Sequence, residues 1–229
     1  WYRNNSVRWK EVEQVRLKNP GEFNKSVDRA KYNIRVMAGQ VGADITEAEL
    51  NKLASDSVYG AWDEGDLRRY VSAEIDIGST GGLFGDAGKA EMELRKMAAE
   101  NGVEYNNEWF RTNARKAIES NSIGDVERQI REDSANTYTQ WGDGIRNGTT
   151  TVAKAAGSYM RALEKTYDME DGTASVFDPH VKRAITDRDE QGNPVTKPLW
   201  KFEEDLRRDP KWLTTKNGAE TMANVSGGL

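Results

Sequence analysis

The residues that first suggest chemistry are three carboxylates at the start of a predicted helix, Asp63, Glu64 and Asp66. One of them could serve as a general acid, because positioned carboxyl groups move protons in many active sites. Carboxylates in the first turn of a helix also accept hydrogen bonds from its free N–H groups and interact favourably with its dipole. The corresponding stretch later in the chain keeps only Asp125. The pattern therefore predicts helix capping rather than acid catalysis.

Two loops carry weak ligand-binding patterns. Residues 78–88 are rich in glycine, but no strand precedes them and no Lys-Ser or Lys-Thr pair follows, as a phosphate-binding P-loop requires. Residues 187–193 open like a calcium loop, with acids at the first and third positions and glycine at the sixth. The twelfth position is Pro198 instead of the bidentate Glu. We interpret the first stretch as a linker and the second as a polar turn, and we predict no metal and no cofactor.

Composition excludes several kinds of site. The 229 residues include one His and no Cys, which excludes disulfides, thiolate zinc sites and multi-histidine metal centres. His180 follows Asp178-Pro179, so we interpret it as a surface residue or a hydrogen-bonding group at a helix end. The net charge of -5 is opposite to that of a basic nucleic-acid-binding surface. No apolar run approaches the roughly 20 residues of a membrane span. Because the chain starts at Trp1, we expect it to be a segment of a longer polypeptide.

The chain contains an internal duplication. Residues 26–62 can be placed on 86–122 so that apolar and turn positions coincide while charged positions change freely. The matched pairs are Ala30 and Ala90, Ile34 and Leu94, Arg35 and Arg95, Met37 and Met97, Ala38 and Ala98, Gly42 and Gly102, Leu50 and Phe110, Ala54 and Ala114, and Val58 and Ile118. A repeat that keeps packing residues indicates a repeated structural unit rather than a repeated catalytic site.

Helical periodicity and capping signals predict an all-α fold. Ser26 is the predicted N-cap of the first repeated helix and Asp86 its counterpart. Gly42 should end that helix in a left-handed cap, and Thr46 should open a capping box. We predict tandem three-helix units followed by a smaller helical C-terminal region. The predicted segments are 1–25 (N-terminal helix and lead-in), 26–76 (first three-helix unit), 77–85 (glycine-rich linker), 86–135 (second unit) and 136–229 (helical C-terminal region with an Asp-Pro-x-Trp corner).

Aromatic residues supply the candidate partner-binding positions. Trp200, Phe202, Leu206 and Trp212 are spaced as the apolar seam of a short two-helix corner. Burial in a small core is the favoured interpretation, and contact with a partner protein is the alternative. A second candidate position is the pair Leu83 and Phe84 in the glycine-rich linker, which could anchor that segment.

The order of these elements resembles tail proteins of tailed bacteriophages, mostly those that infect actinobacteria. The shared features are a Met-Ala-x-x-x-Gly helix end at 37–42, a Leu-x-x-Leu-Ala helix at 50–54, and Trp62-Asp63 before a Leu-x-x-x-Val helix. The residues from Leu199 to Trp212, with the Asp-Pro-x-Trp corner, are similar to the C-terminal part of those proteins. The resemblance covers nearly all of 26–226. The second repeat departs from it, having Ser122-Ile123 in place of Trp-Asp.

This resemblance implies the C-terminal region of a tape measure or minor tail protein, a structural component of the virion that acts in tail assembly and genome delivery. It implies that the chain is located in the phage tail after assembly in the host cytoplasm. The implied partners are tube, tip or baseplate proteins and further copies of the chain, with transient contact to the host envelope and no specific nucleic-acid binding. We therefore expect no enzymatic activity.

Two other functions remain open. One is a peptidoglycan-degrading virion protein, which would need a deep sugar cleft and an acid with a raised pKa. Glu74 and Glu104 are the least implausible acids for that role. The other is an internal head protein that is ejected with the DNA.

Overall fold

The computed structural model describes residues 6–77 and 82–227. This part of the chain is mostly helical, which confirms the prediction of an all-α fold, and one small hairpin interrupts it. The α-helices are α1 (Val7–Lys18), α2 (Pro20–Val41), α3 (Glu47–Gly60), α4 (Glu64–Ser72), α5 (Gly85–Glu100), α6 (Asn107–Glu119), α7 (Gly124–Thr137), α8 (Gly142–Arg146), α9 (Val152–Ala155), α10 (Gly157–Thr166), α11 (Pro179–Ile185), α12 (Leu199–Arg208) and α13 (Lys216–Gly227). None of the helices in the described part of the chain is both long and apolar enough to cross a membrane.

The first two helices meet at Asn19. This residue ends α1, and its side chain accepts a hydrogen bond from the Glu22 N–H at the start of α2. Pro20 occupies the first helical position, where its missing N–H costs nothing. The prediction that Ser26 caps this helix is wrong: Ser26 lies inside α2, and its hydroxyl donates to the Glu22 carbonyl. The actual start signal of α2 is Asn19 followed by Pro20, a capping residue and then proline at the first helical position.

The next helix boundaries follow the sequence closely. Gly42 has a φ of 89°, and the Ala38 carbonyl accepts hydrogen bonds from both Gly42 and Ala43. Thr46 forms the predicted capping box with Glu49, at the start of α3. The left-handed cap and the capping box are therefore both confirmed. They position α2 and α3 so that their apolar faces pack together.

The second predicted repeat begins with a difference. Helix α5 starts at Gly85, so Asp86 lies in its first turn and not at the cap position. Of the glycine-rich segment, residues 78–81 lie outside the described residues. Asn106 does cap α6, because its side-chain oxygen accepts the Trp109 N–H at 2.8 Å.

The chain divides into two compact units. The N-terminal unit comprises Trp1–Arg95 and Tyr105–Val126, and the C-terminal unit comprises Lys96–Glu104 and Glu127–Leu229. This division runs through the predicted second segment, 86–135, rather than along the glycine-rich stretch. The physical reason within the N-terminal unit is that α6 packs against α4 and brings Ile118 onto the core formed by the first segment.

The N-terminal unit has a largely aliphatic core, which we call the N-terminal core. Helix α2 packs against α1, α3 and α4 around it. Its buried residues are Ala30, Ile34, Met37, Ala38, Val41, Ala43, Leu50, Leu53, Ala54, Val71, Ile75 and Ala87. These residues recur at helical spacing, so the core follows directly from the sequence periodicity.

The C-terminal unit is built from shorter elements. Thr151 caps α9, because its side chain accepts the Lys154 N–H, and Ala156 separates this short helix from α10. Asp178 caps α11, and Pro179 occupies its first helical position. The polar connection that follows contains two short antiparallel strands, β1 (Asp187–Arg188) and β2 (Pro194–Val195).

The core of this unit, which we call the C-terminal core, contains several aromatic residues. Its buried members are Ala135, Tyr138, Ile145, Val152, Ala156, Tyr159, Ala162, Leu163, Tyr167, Val176, Val181, Ala184, Ile185, Phe202 and Leu206. Helix α12 packs on α10 and leads into a 3-10 helix, Pro210–Thr214, that in turn packs on α13.

Candidate functional site

The acidic trio caps α4. The Asp63 carboxylate accepts the Asp66 N–H at 2.8 Å, and Asp66 forms an ion pair with Arg69 at 2.7 Å. The capping prediction is therefore confirmed for Asp63. Glu64 is exposed and forms no ion pair with any residue in the described ranges.

A groove lies beside this helix start, between α2 and α4. Trp62 stacks on Tyr70 with ring centroids 4.1 Å apart and planes 16° from parallel. The groove has a volume of about 430 Å³. Its lining includes Tyr32, Val36, Met37, Trp62, Asp63 and Glu64. Sequence reasoning identified Trp62 and the acids but missed the groove; the available signal was Tyr32 and Val36, one helical turn apart on α2.

The predicted aromatic seam is divided between core and surface. Phe202 and Leu206 are buried in the C-terminal core, at 3% and 0% exposure. Trp212 is half-buried and packs against the same core. Trp200 is 67% exposed. The ring of Phe202 therefore contacts Tyr159 inside the unit, as the burial interpretation predicts, whereas that interpretation is wrong for Trp200.

The Asp-Pro-x-Trp corner is fixed by polar contacts. The Asp209 carboxylate accepts the Lys211 N–H at 2.8 Å and so caps the 3-10 helix. The Trp212 carbonyl accepts the Thr215 hydroxyl at 2.6 Å. A Cβ at Gly218 would lie only 2.1 Å from that carbonyl, so glycine permits the close approach of α13 to the corner.

Leu83 and Phe84 have different environments. Leu83 is partly buried against the N-terminal core, which makes it an anchor for the segment that precedes α5. Phe84 is 53% exposed, so its side chain is available to a partner. Its backbone approaches Gly42 so closely that a Cβ there would lie 2.0 Å from the Phe84 carbonyl oxygen.

His180 is a hydrogen-bonding group at a helix start, in agreement with one of the two sequence interpretations. Its backbone N–H donates to Asp178 at 2.9 Å, and its Nε2 lies 3.6 Å from the Asp209 carboxylate. Its ring meets Tyr167 edge-on, with centroids 5.6 Å apart. Burial, together with the nearby charges of Asp209 and Asp178, raises the pKa of Tyr167 to about 12.

The calcium-like loop closes the hairpin. The Asp189 carboxylate accepts the backbone N–H groups of Gln191 and Asn193 and the Asn193 amide, and the side-chain bond to Asn193 is the main cause of its lowered pKa. These contacts agree with a polar turn. Within residues 6–77 and 82–227, no group of three or more His, Asp or Glu side chains is arranged to hold a metal ion.

Neither of the two acids considered for glycoside cleavage is fully buried. Glu104 has a side chain that is 72% exposed and pairs with Lys182 at 3.6 Å. Glu74 is half-buried after the end of α4. Two buried acids were missed by sequence reasoning. Glu91 pairs with Arg95 at 2.6 Å, which its spacing of four residues could have indicated, and Glu164 accepts the Ala174 N–H at 3.0 Å, a loop contact with no sequence signal.

Comparisons with known proteins give no further assignment: no protein-family model, no curated protein and no solved structure matches this chain.

Proposed function

We propose that this chain is a structural component of a bacteriophage virion, a tape measure or tail-tip-associated protein that acts in tail assembly and genome delivery. The observation that carries the proposal is the corner at 199–212. The residues that resemble tail proteins there serve packing and capping, with Phe202 and Leu206 in the core, Asp209 as a cap and Trp212 against the core. The resemblance is thus one of architecture, which suits a protein that works by being held in an assembly.

A tandem repeat of three-helix units belongs to this proposal. Gly42 and Gly102 both have positive φ angles, 89° and 66°, at equivalent helix ends. Arg35 bonds to Glu47 at 2.7 Å, and in the same register Arg95 bonds to Asn107 at 2.9 Å. Equivalent hydrogen bonds at equivalent spacings support descent of both segments from one packing unit.

A non-catalytic role is also part of the proposal. Three of the five acids that the sequence singled out make structural contacts: Asp63 caps a helix, Asp66 pairs with Arg69, and Glu104 pairs with Lys182. The partners that we propose are other tail proteins and further copies of this chain.

Locating the chain in purified virions tests the proposal. We expect an antibody against the chain to label the tail or its tip in electron micrographs. Labelling of the capsid interior alone would favour the internal head protein instead. Clearing of cell walls in a zymogram by the purified chain, with loss of clearing on a Glu→Gln change, would favour the peptidoglycan-degrading alternative.

A variant pair sharpens this test. Trp212→Ala should loosen the corner and α13 and reduce plaque counts, because it removes a ring that packs on the C-terminal core. Leu213→Ala is the matched control, since Leu213 is the next residue in the same 3-10 helix and is 50% exposed. Normal plaques together with an unchanged proteolytic digest for Trp212→Ala would contradict a structural role for the corner.

A further inference from the structure

The groove between α2 and α4 has the character of a binding surface. Tyr32 and Val36 are 68% and 44% exposed, although both are large apolar residues on its wall. Its volume of about 430 Å³ lies within the range of about 300–1,000 Å³ that is usual for ligand sites. Asp63 and Glu64 form part of its lining, so the groove combines an aromatic wall with negative charge. We call it the acidic groove.

Packing of the three-helix unit does not by itself require exposed aromatic residues beside acidic ones. In the register that aligns the two repeats, core positions keep their apolar character, as Ile34 and Leu94 show. Two groove positions in that register lose theirs, because the polar residues Lys96 and Ser122 stand where Val36 and Trp62 stand in the first repeat, whereas the apolar Met92 replaces Tyr32. Of the three acids at the start of α4, the later stretch keeps only Asp125. The first repeat therefore carries a surface that the second folds without.

The start of α12 has the complementary character. Trp200 is 67% exposed and Leu199 37% exposed, and Lys201 is exposed beside them. No acidic residue lies in the first turn of this ten-residue helix, and Pro198 provides no side-chain cap. The partial positive charge of the helix start is therefore not offset, and Lys201 adds a full positive charge. We call Leu199, Trp200 and Lys201 the basic knob.

We propose that the basic knob of one copy docks in the acidic groove of a second copy. Trp200 would lie against the aromatic wall formed by Tyr32 and Trp62, where large ring surfaces leave water together. Lys201 and the start of α12 would face Asp63 and Glu64. The exposed ring and positive charge of the basic knob complement the apolar wall and negative charge of the acidic groove, and this complementarity is the basis for choosing a second copy as the occupant.

Because the two surfaces differ, the contact is head-to-tail. A chain of such copies always has a free knob at one end and a free groove at the other, so further copies can add. The product is an open filament, unless the rotation between neighbouring copies closes a ring. One such contact is smaller than a standard protein interface and is weak in isolation. Many such contacts formed together by copies aligned in an assembly would raise the overall affinity.

Sedimentation velocity of the full 229-residue chain tests this proposal. We expect the average mass of the wild type to rise with concentration. Trp200→Ala should remove the knob and Val36→Lys the groove, so each variant alone should remain monomeric. Both residues are exposed, and circular dichroism checks that both variants fold. A mixture of the two variants should form a dimer and nothing larger, because only one knob and one groove remain intact.

Charge reversal provides a second measurement. Glu64→Lys should weaken association at least tenfold, and Lys201→Glu should do the same. A chain carrying both changes should recover association, because each new charge again faces its opposite. Met92→Lys is the matched control, since Met92 is 67% exposed at the position equivalent to Tyr32, and it should leave association unchanged. A monomeric wild type at all concentrations, or a mixture of Trp200→Ala and Val36→Lys that stays monomeric, would overturn the proposal.

Discussion

The two cores of this protein are held together differently. The N-terminal core is mainly aliphatic. The boundaries of its helices are set by neighbouring residues in the sequence: Gly42 ends α2, and Thr46 caps the start of α3. The C-terminal core buries three tyrosines, and the hydroxyls of two of them bond to backbone carbonyls far away in the sequence. Tyr138 donates to the Gly102 carbonyl and Tyr159 to the Lys197 carbonyl.

This difference has energetic consequences. An aliphatic core is stabilised by burial of apolar area, which does not depend on pH. A buried tyrosine adds a similar area but also a polar group that must keep a partner and must stay neutral. We therefore expect the stability of the N-terminal core to fall when side-chain volume is removed. The stability of the C-terminal core should depend on side-chain volume and also on pH.

The largest effects should come from truncated core leucines. Leu53→Ala in the N-terminal core and Leu163→Ala in the C-terminal core should each cost about 2–5 kcal/mol, because each leaves a cavity. We expect the cost at Leu163 to be greater, since hydrogen-bonded tyrosines restrict collapse of that core. Native-state hydrogen exchange of α3 and α10 amides measures each cost locally.

The exposed Glu64 supplies the control for this comparison. Glu64→Ala should change the free energy of unfolding by less than about 0.5 kcal/mol. A greater cost at Leu53 than at Leu163 would show that the tyrosine contacts do not stiffen the C-terminal core.

Glycine substitutions test the close backbone approach in the N-terminal unit. Gly42→Ala should cost about 2–4 kcal/mol, because φ is 89° and the new Cβ would lie 2.0 Å from the Phe84 carbonyl oxygen. Gly39→Ala is the matched control: it lies three residues earlier in α2 with no atom within 4 Å of the new Cβ. It should raise stability by about 0.5–1 kcal/mol. Melting temperatures that shift in the same direction for Gly42→Ala and Gly39→Ala would contradict this account.

The N-terminal core could be predicted in detail because its signals are local. A glycine at a helix end, a Thr-x-x-Glu box and apolar residues at helical spacing correctly predicted the end of α2, the start of α3 and the buried faces of both helices. The C-terminal core could not, since the contacts of Tyr138 and Tyr159 join residues 36 and 38 positions apart, and no periodicity encodes them. The acidic groove was missed for the same reason, because it forms only where α2 and α4 meet.

The pH dependence of the C-terminal core should be smaller but distinctive. The pKa of Tyr167 rises from 10.0 to about 12 through burial first and then the nearby Asp209. The folded protein therefore keeps a proton that the unfolded chain loses. The associated stability is fully present below pH 10 and is lost as the pH rises from 10 to 12, by about 2–3 kcal/mol.

Tyr167→Phe isolates this contribution, because phenylalanine fills the same space without a titrating group. The difference in unfolding free energy between the wild type and this variant, measured by urea denaturation from pH 8 to 12, should change only above pH 10. A difference that is constant over the whole range would show that Tyr167 titrates at its ordinary pKa.

The smallest changes in stability should come from substitutions at helix starts. They compare two residues that cap a helix with one that was only predicted to do so. Thr46 and Asn106 cap α3 and α6, so replacing either with Ala should cost about 1 kcal/mol. Ser26 was predicted to be a cap from sequence but lies inside α2, where its hydroxyl bonds back to the Glu22 carbonyl. Ser26→Ala should therefore be neutral or slightly stabilising, because alanine is the better helix former. Urea denaturation of the three variants at neutral pH resolves these values. A cost near 1 kcal/mol at Ser26 would mean that α2 begins there and that the helix start at Asn19-Pro20 is wrong.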